Sequence, residues 1–277
     1  MIDSIRNKQP VYIASGQTHS VYRVGQFACK ISKYDGSTDD KSEYDKEIFC
    51  LQLLAKNHFP CVNVIGLFDG NDFTHSIFKN KVVLVEEFIN GELLFNNHAQ
   101  KQTDYPMLYD LIEKINTFKY NNFGYVLEYS FSSWNAFLDI IKEKICNFLK
   151  LSGSFELYEK IIQLDLSSTY SGSPHMLLME FNPRNFIFDG MTYKAIDING
   201  LLCGDVIYQW VRLKNHLDLR ERTHYCDRFL QDADEELIRK YAILSCGNDI
   251  ITRRKLGLDY QKEWEFFKSK VMSYGEL

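Results

Sequence analysis

Asn185-Phe186-Ile187-Phe188-Asp189-Gly190-Met191-Thr192-Tyr193-Lys194-Ala195-Ile196-Asp197 holds two short apolar runs, 186–188 and 193–196, joined through Asp-Gly. Asp-Gly between such runs is a strong hairpin signal, because glycine supplies the positive φ that a tight turn needs. A loop over 189–192 sets Asn185 nearly opposite Ile196 and Asp197. An amide and a carboxylate far apart in sequence then meet at the open end of one hairpin. Mg²⁺ prefers oxygen ligands and is commonly held by one or two protein groups together with phosphate oxygens. The pair can be half of such a site, or each side chain can stabilise only its own turn; the spacing leaves both readings open.

The hairpin interrupts a helical stretch. Helical apolar spacing runs over 108–115, 134–149, 155–164, 205–217 and 235–244. The first ninety residues read differently: strands at Val11 to Ala14, at Val21 to Val24 and at Phe27 to Ile31, a helix from about Ser42 to Lys56, and a buried strand at Val82 to Val85. The pattern changes near residue 90, so the chain is expected to divide into a small β-rich part, 1–89, and a larger mainly helical part, 90–277. The acidic run 231–236 reads as a solvated helix start, and Asp205 as the cap of the helix that follows it.

Within the first part, Lys30 sits inside the apolar strand Phe27-Ala28-Cys29-Lys30-Ile31, and Glu43 and Glu47 lie in line with Leu51 and Leu54 on one helix face. A carboxylate in line with apolar residues wants a cation, and Lys30 is the natural one. The plainer alternative is a solvated lysine and an exposed glutamate; which of Glu43 and Glu47 would pair is left open.

Composition narrows the function classes. With 277 residues and 45% apolar content the chain can bury a sizeable core. A net charge of −5 argues against a broad nucleic-acid surface, and no apolar stretch is long enough to span a membrane. The seven cysteines are odd in number and scattered, with no metal-ligand spacing, and read as reduced thiols of a cytoplasmic protein.

Taken in order, these residues resemble the aminoglycoside phosphotransferase family of small-molecule kinases. Ser15-Gly16-Gln17-Thr18-His19-Ser20-Val21-Tyr22-Arg23 is similar to its nucleotide-covering loop, Ala28-Cys29-Lys30-Ile31 to the strand with its phosphate-binding lysine, and Glu47 to the helix glutamate that holds that lysine. Val83 to Glu92, with Glu87, Phe88 and Ile89, resembles the hinge whose backbone grips adenine. Glu180-Phe181-Asn182-Pro183-Arg184-Asn185, followed by Ala195-Ile196-Asp197, resembles the catalytic loop. The resemblance implies an α+β, two-lobed, protein-kinase-like fold. It also implies Mg²⁺ held by Asn185 and Asp197, ATP or GTP as donor, Glu180 as the acceptor-orienting base, and a small-molecule hydroxyl as acceptor, an aminoglycoside or related amino sugar leading. Phosphoryl transfer asks chiefly for positioning and charge neutralisation, which this residue set supplies.

One departure bears on turnover. The family has His-Gly-Asp where this chain has Leu178-Met179-Glu180. The added methylene of glutamate moves a carboxylate by about 1 Å, and a misplacement of that size costs about 100-fold in rate. A catalytically impaired pseudokinase, binding nucleotide or a protein partner, is the alternative expectation. A kinase acting on proteins is disfavoured by the shortness of the segment between Asp197 and Asp205.

Overall fold

The computed structural model describes residues 5–16, 18–33, 38–94, 105–128, 130–167, 169–179, 182–219 and 226–274. The fold is α+β, with an antiparallel sheet unit and a mostly helical unit. One unit comprises the described residues of 1–104 and 182–200, the other those of 105–181 and 201–277.

In the first unit β1 (Val11–Ser15), β2 (His19–Val24), β3 (Phe27–Ser32), β4 (Val64–Asp69) and β5 (Val82–Glu87) form an antiparallel sheet in the order β1-β2-β3-β5-β4. Helix α1 (Thr38–Lys56) enters between β3 and β4. Strands β2 and β3 turn through Gly25 and Gln26 alone, since Val24 pairs with Phe27 and Gly25 takes φ +66°. Side chains alternate across a sheet. Tyr22, Cys29 and Val85 are aligned on the face that packs into a core with Val24, Ile31, Phe73, Phe78 and Val83. Val21, Lys30 and Leu84 are aligned on the other face.

The expected hairpin is present. Strands β9 (Phe186–Phe188) and β10 (Tyr193–Ala195) pair with Ala195 opposite Phe186, and β6 (Glu92–Leu93) adds to β9. The Asp189 carboxylate accepts from the Met191 and Thr192 amides at 2.9 Å each, and Gly190 takes φ +98°. Ala195 also bridges Cys61, tying the hairpin to the segment after α1. Strand β6 pairs with the hairpin, and the segment 182–200 clusters with the first unit.

The second unit has helices α2 (Tyr105–Asn116), α3 (Trp134–Leu151), α4 (Phe155–Ile162), α5 (Val206–Asp218), α6 (Glu235–Lys255) and α7 (Gln261–Met272). They accompany a small sheet in the order β7 (Gly124–Tyr125), β11 (Leu201–Gly204), β8 (His175–Leu178). Helix starts follow their caps: Ser133, Asp205 and Asp234 each accept a backbone N–H from the first turn of the helix that follows. At its heart Trp134, fully buried, stacks on Phe137 with ring centroids 4.9 Å apart and donates to the Tyr241 hydroxyl at 2.9 Å. That hydroxyl in turn donates to Asp205 at 2.7 Å. Asp205 is therefore both helix cap and buried acceptor. Among the described residues no helix is long and apolar enough to cross a membrane, and all seven cysteines are free thiols.

Candidate functional site

Lys30 is the centre of the first unit's polar chemistry. It is 6% exposed, and its ammonium donates to Glu47 Oε2 at 2.7 Å and to Asp197 Oδ1. Burial alone would lower its pKa, but the Glu47 and Asp197 carboxylates outweigh that and raise it, so Lys30 stays charged. Glu47 is 2% exposed, whereas half of the Asp197 side chain is open to solvent. One carboxylate thus anchors the lysine from inside, and the other meets it from the open side. Glu43 instead pairs with Lys46 at 3.3 Å, which leaves Glu47 as the partner of Lys30.

The hairpin aims Asp197. Asn185 O accepts the Ile196 amide at 2.8 Å, and Asn185 Nδ2 donates to the Asp197 carbonyl at 3.1 Å. Because that acceptor is a carbonyl, the nitrogen end of the buried Asn185 amide must face it, and Oδ1 is left as the end able to take a cation. The chain leaves the hairpin through Asp197 in the left-handed region, φ +54°, which aspartate tolerates better than most residues. An amide oxygen and a half-open carboxylate are a donor set suited to Mg²⁺, which keeps waters and phosphate oxygens in its remaining positions. Among the described residues no cluster of three or more His, Cys, Asp or Glu side chains is placed to hold a metal ion by itself.

The sequence reading assigned no site role to Glu86. It lies on β5 with Ala28 on one side and Val64 on the other, 7% exposed, on the same sheet face as Lys30 and Leu84. Glu86 Oε1 and Glu47 Oε1 are buried without a hydrogen-bond partner among the described residues. Burial, reinforced by the Glu47 charge and opposed by Lys30, pushes the Glu86 carboxyl up to about 8. A carboxyl whose folded pKa lies above its unfolded value stabilises the fold fully below the unfolded value, and that contribution is lost as pH rises to the folded one. Between pH 5 and 8, therefore, the melting temperature of Glu86→Gln is expected to gain steadily on that of the parent. A difference that stays constant across this range would contradict the assignment.

The remaining expected residues are dispersed. Ser15 ends β1 opposite Ser20 and Gly16 follows it, where Gly16 N donates to His19 O at 2.9 Å and Gly16 O accepts from Lys33. Neither shares a hydrogen bond with the Lys30 group among the described residues. Glu87 donates its amide to Asn63 O at 2.9 Å and places its carboxylate 3.6 Å from Lys194. Phe88 donates its amide to Gln26 O at 3.0 Å and carries the Arg23 guanidinium 4.3 Å above its ring, and Ile89 is buried. Glu180 lies outside the described residues. In the second unit Arg212 donates to the carbonyl of the preceding residue, Met179, and is itself held by Asp249 at 2.9 Å. No sequence signal pointed to that clamp, because Arg212 lies on a helix read only for apolar period and Asp249 lies beyond the spacing read over 235–244.

Comparison with solved structures places this architecture. A ternary complex of a thermostable mutant of aminoglycoside phosphotransferase APH(4)-Ia with AMP-PNP and hygromycin B superposes with a TM-score of 0.69 at 12% identity, over 97% of this chain and 95% of that one. Choline kinase LicA from Streptococcus pneumoniae gives 0.64 at 15% identity, over 99% and 96%. The streptomycin–ATP–APH(2")-IIa ternary complex gives 0.58 at 14%, over 98% and 93%. The chain shares their fold. No protein-family model matches the sequence, and no curated protein does. The likeness to these small-molecule kinases is thus one of kinase fold spanning almost the whole chain.

Proposed function

We propose that the chain is a Mg²⁺-dependent phosphotransferase that moves the γ-phosphoryl group of ATP or GTP to a hydroxyl of a small molecule, an aminoglycoside or related amino sugar leading. The observation that carries the reading is the buried Lys30, paired with Glu47 and with the half-open Asp197 beside Asn185. Structural neighbours crystallised with AMP-PNP or ATP and an aminoglycoside support it. Residues 1–89 would serve as the nucleotide lobe and 90–277 as the acceptor lobe, and scattered free thiols suit a cytoplasmic setting.

In this reading Lys30 binds the α and β phosphates, and Glu47 keeps its ammonium charged and aimed. Ser15 and Gly16 cover the phosphates, and the backbone of Glu87 to Ile89 grips the base. Asn185 and Asp197 would hold Mg²⁺, which supplies charge neutralisation to the phosphate oxygens when bound. Glu180 orients the acceptor hydroxyl and takes its proton as the oxygen bonds to phosphorus. The geometry asks little covalent chemistry of the protein, so the rate rests on positioning.

Thermal unfolding with Mg²⁺ and ATP or GTP tests the nucleotide half of the reading. A panel of aminoglycosides and amino sugars, assayed for phosphate transfer, tests the other half. Glu180→Gln is expected to lower transfer by 100-fold or more while leaving the nucleotide-induced shift intact. Equal rates would remove Glu180 from the mechanism. Stabilisation by nucleotide with no transfer to any acceptor would favour the impaired, binding-only alternative that Leu178-Met179-Glu180 motivates.

A further inference from the structure

Glu86 is a buried carboxyl of the first unit that the proposed mechanism leaves without a task. Its place on the sheet is specific. Lys30 pairs with Leu84, and Ala28 pairs with Glu86, so the face that carries the lysine continues two residues, about 7 Å, along both strands to Glu86. The next residues of the chain, Glu87 to Ile89, are those assigned to the base. A nucleotide with its phosphates at Lys30 and its base at 87–89 must pass over Ala28 and beside Glu86.

The surroundings of Glu86 fit a flat ligand edged by a hydrogen-bond donor. Ala28 is a small side chain on this face and the one residue of β3 that is not fully buried, which leaves a methyl against which a ring can lie. Glu86 is 7% exposed and its Oε1 has no partner among the described residues. The charged groups around it are committed elsewhere. Lys30 on β3 bonds Glu47 on α1 and Asp197 beyond β10, while Arg23, in the same cross-strand row, bonds Gly25 O and lies over Phe88. An unmade hydrogen bond at a buried acceptor is costly, and a ligand that donates to it recovers that cost.

We propose that Glu86 in its ionised form selects the purine, its carboxylate accepting a hydrogen bond from the 6-amino group of adenine and rejecting the 6-oxo group of guanine. The proposal rests on the nucleotide-binding reading above. The two purines differ at this edge in the sign of the group presented: adenine offers a donor, whereas guanine and hypoxanthine offer an acceptor that would face a buried carboxylate. One such mismatch at a buried site carries discrimination of at least about tenfold.

The test is calorimetric titration of the full chain at pH 9 in Mg²⁺ with ATP, GTP and ITP. The parent, Glu86→Leu and Glu86→Gln are compared, each first shown to be folded by its thermal transition. The parent is expected to bind ATP at least tenfold more tightly than GTP or ITP. Leucine removes the acceptor and glutamine adds an N–H that can meet a 6-oxo group, so both variants are expected to bring the ratio within about threefold. A parent that binds ATP and GTP alike, or variants that keep the parent's ratio, would overturn the role of Glu86 while leaving the nucleotide site standing. A parent that binds none of the three would overturn the nucleotide reading, and this inference with it.

Discussion

Replacing Asp197 by alanine is expected to abolish the Mg²⁺-dependent stabilisation of the chain by nucleotide. A ligand at 100 times its Kd stabilises the folded state by about 2.7 kcal/mol, worth roughly 5–10 °C in Tm for a chain of this size. Asp197 contributes a half-exposed carboxylate to the Lys30 group, and its removal leaves the Asn185 amide as the sole remaining member of the proposed metal pair. Lys30 keeps Glu47, so the buried ammonium is not orphaned. Alanine at φ +54° adds a backbone cost of about 1–2 kcal/mol, which lowers the starting Tm without bearing on the ligand shift. Asp197→Asn separates the two effects, because asparagine tolerates this conformation but carries no charge. The nucleotide shift should vanish in the alanine variant and shrink sharply in the asparagine variant. A full Mg²⁺-dependent shift in Asp197→Ala would show that the metal is held elsewhere.

The largest loss of stability is expected from Trp134→Ala. Trp134 is fully buried, stacks on Phe137, meets Tyr208 edge-on at 5.4 Å and donates to Tyr241. Its ring also fills the space over Gly204, where a Cβ would stand 2.2 Å from the indole. Removing a core tryptophan costs about 3–5 kcal/mol, and Tyr241 additionally loses a donor to its buried hydroxyl. Over a chain of this length the loss corresponds to a fall in Tm of roughly 10 °C. Trp134→Phe keeps part of the stacking and should lose distinctly less. Urea denaturation of the three proteins decides the matter, and a loss under about 1 kcal/mol for the alanine variant would mean that the site collapses around the gap.

Much of this architecture was legible because local chemistry and tertiary packing agree. The Asp189-Gly190 turn forms the hairpin that its sequence announces, and with it come Asn185 and Asp197. Lys30 inside an apolar strand and a glutamate in line with leucines pointed toward each other, but only the structure chooses Glu47 over Glu43 and over a solvated lysine. Helix α6 runs past the apolar spacing over 235–244 to Lys255, although glycine at 247 is a poor helix former. Gly247 is in fact buried against Ile145 and Phe267, where a Cβ would lie 2.6 Å from the isoleucine, so packing overrides the local signal. Strand β4 escaped notice because the register shifts between Val64 and Gly66 and breaks the alternation. Glu86 was passed over for a different reason: in sequence it is one of two adjacent glutamates, and only the register shows which of them is buried.

The two-residue turn at Gly25 and Gln26 fixes more than a connection. Since Val24 pairs directly with Phe27, one inserted or deleted residue there would slide β3 by a single step, and a single step exchanges the two faces of a strand. Cys29 and Ile31 would then stand where the nucleotide is expected, and Lys30 would be driven among Phe73, Phe78 and Val83. The chemistry of the first unit is thus written partly in the length of a turn that contributes no atom to it. Point substitutions can drift within this sheet, but indels between β2 and β3 cannot.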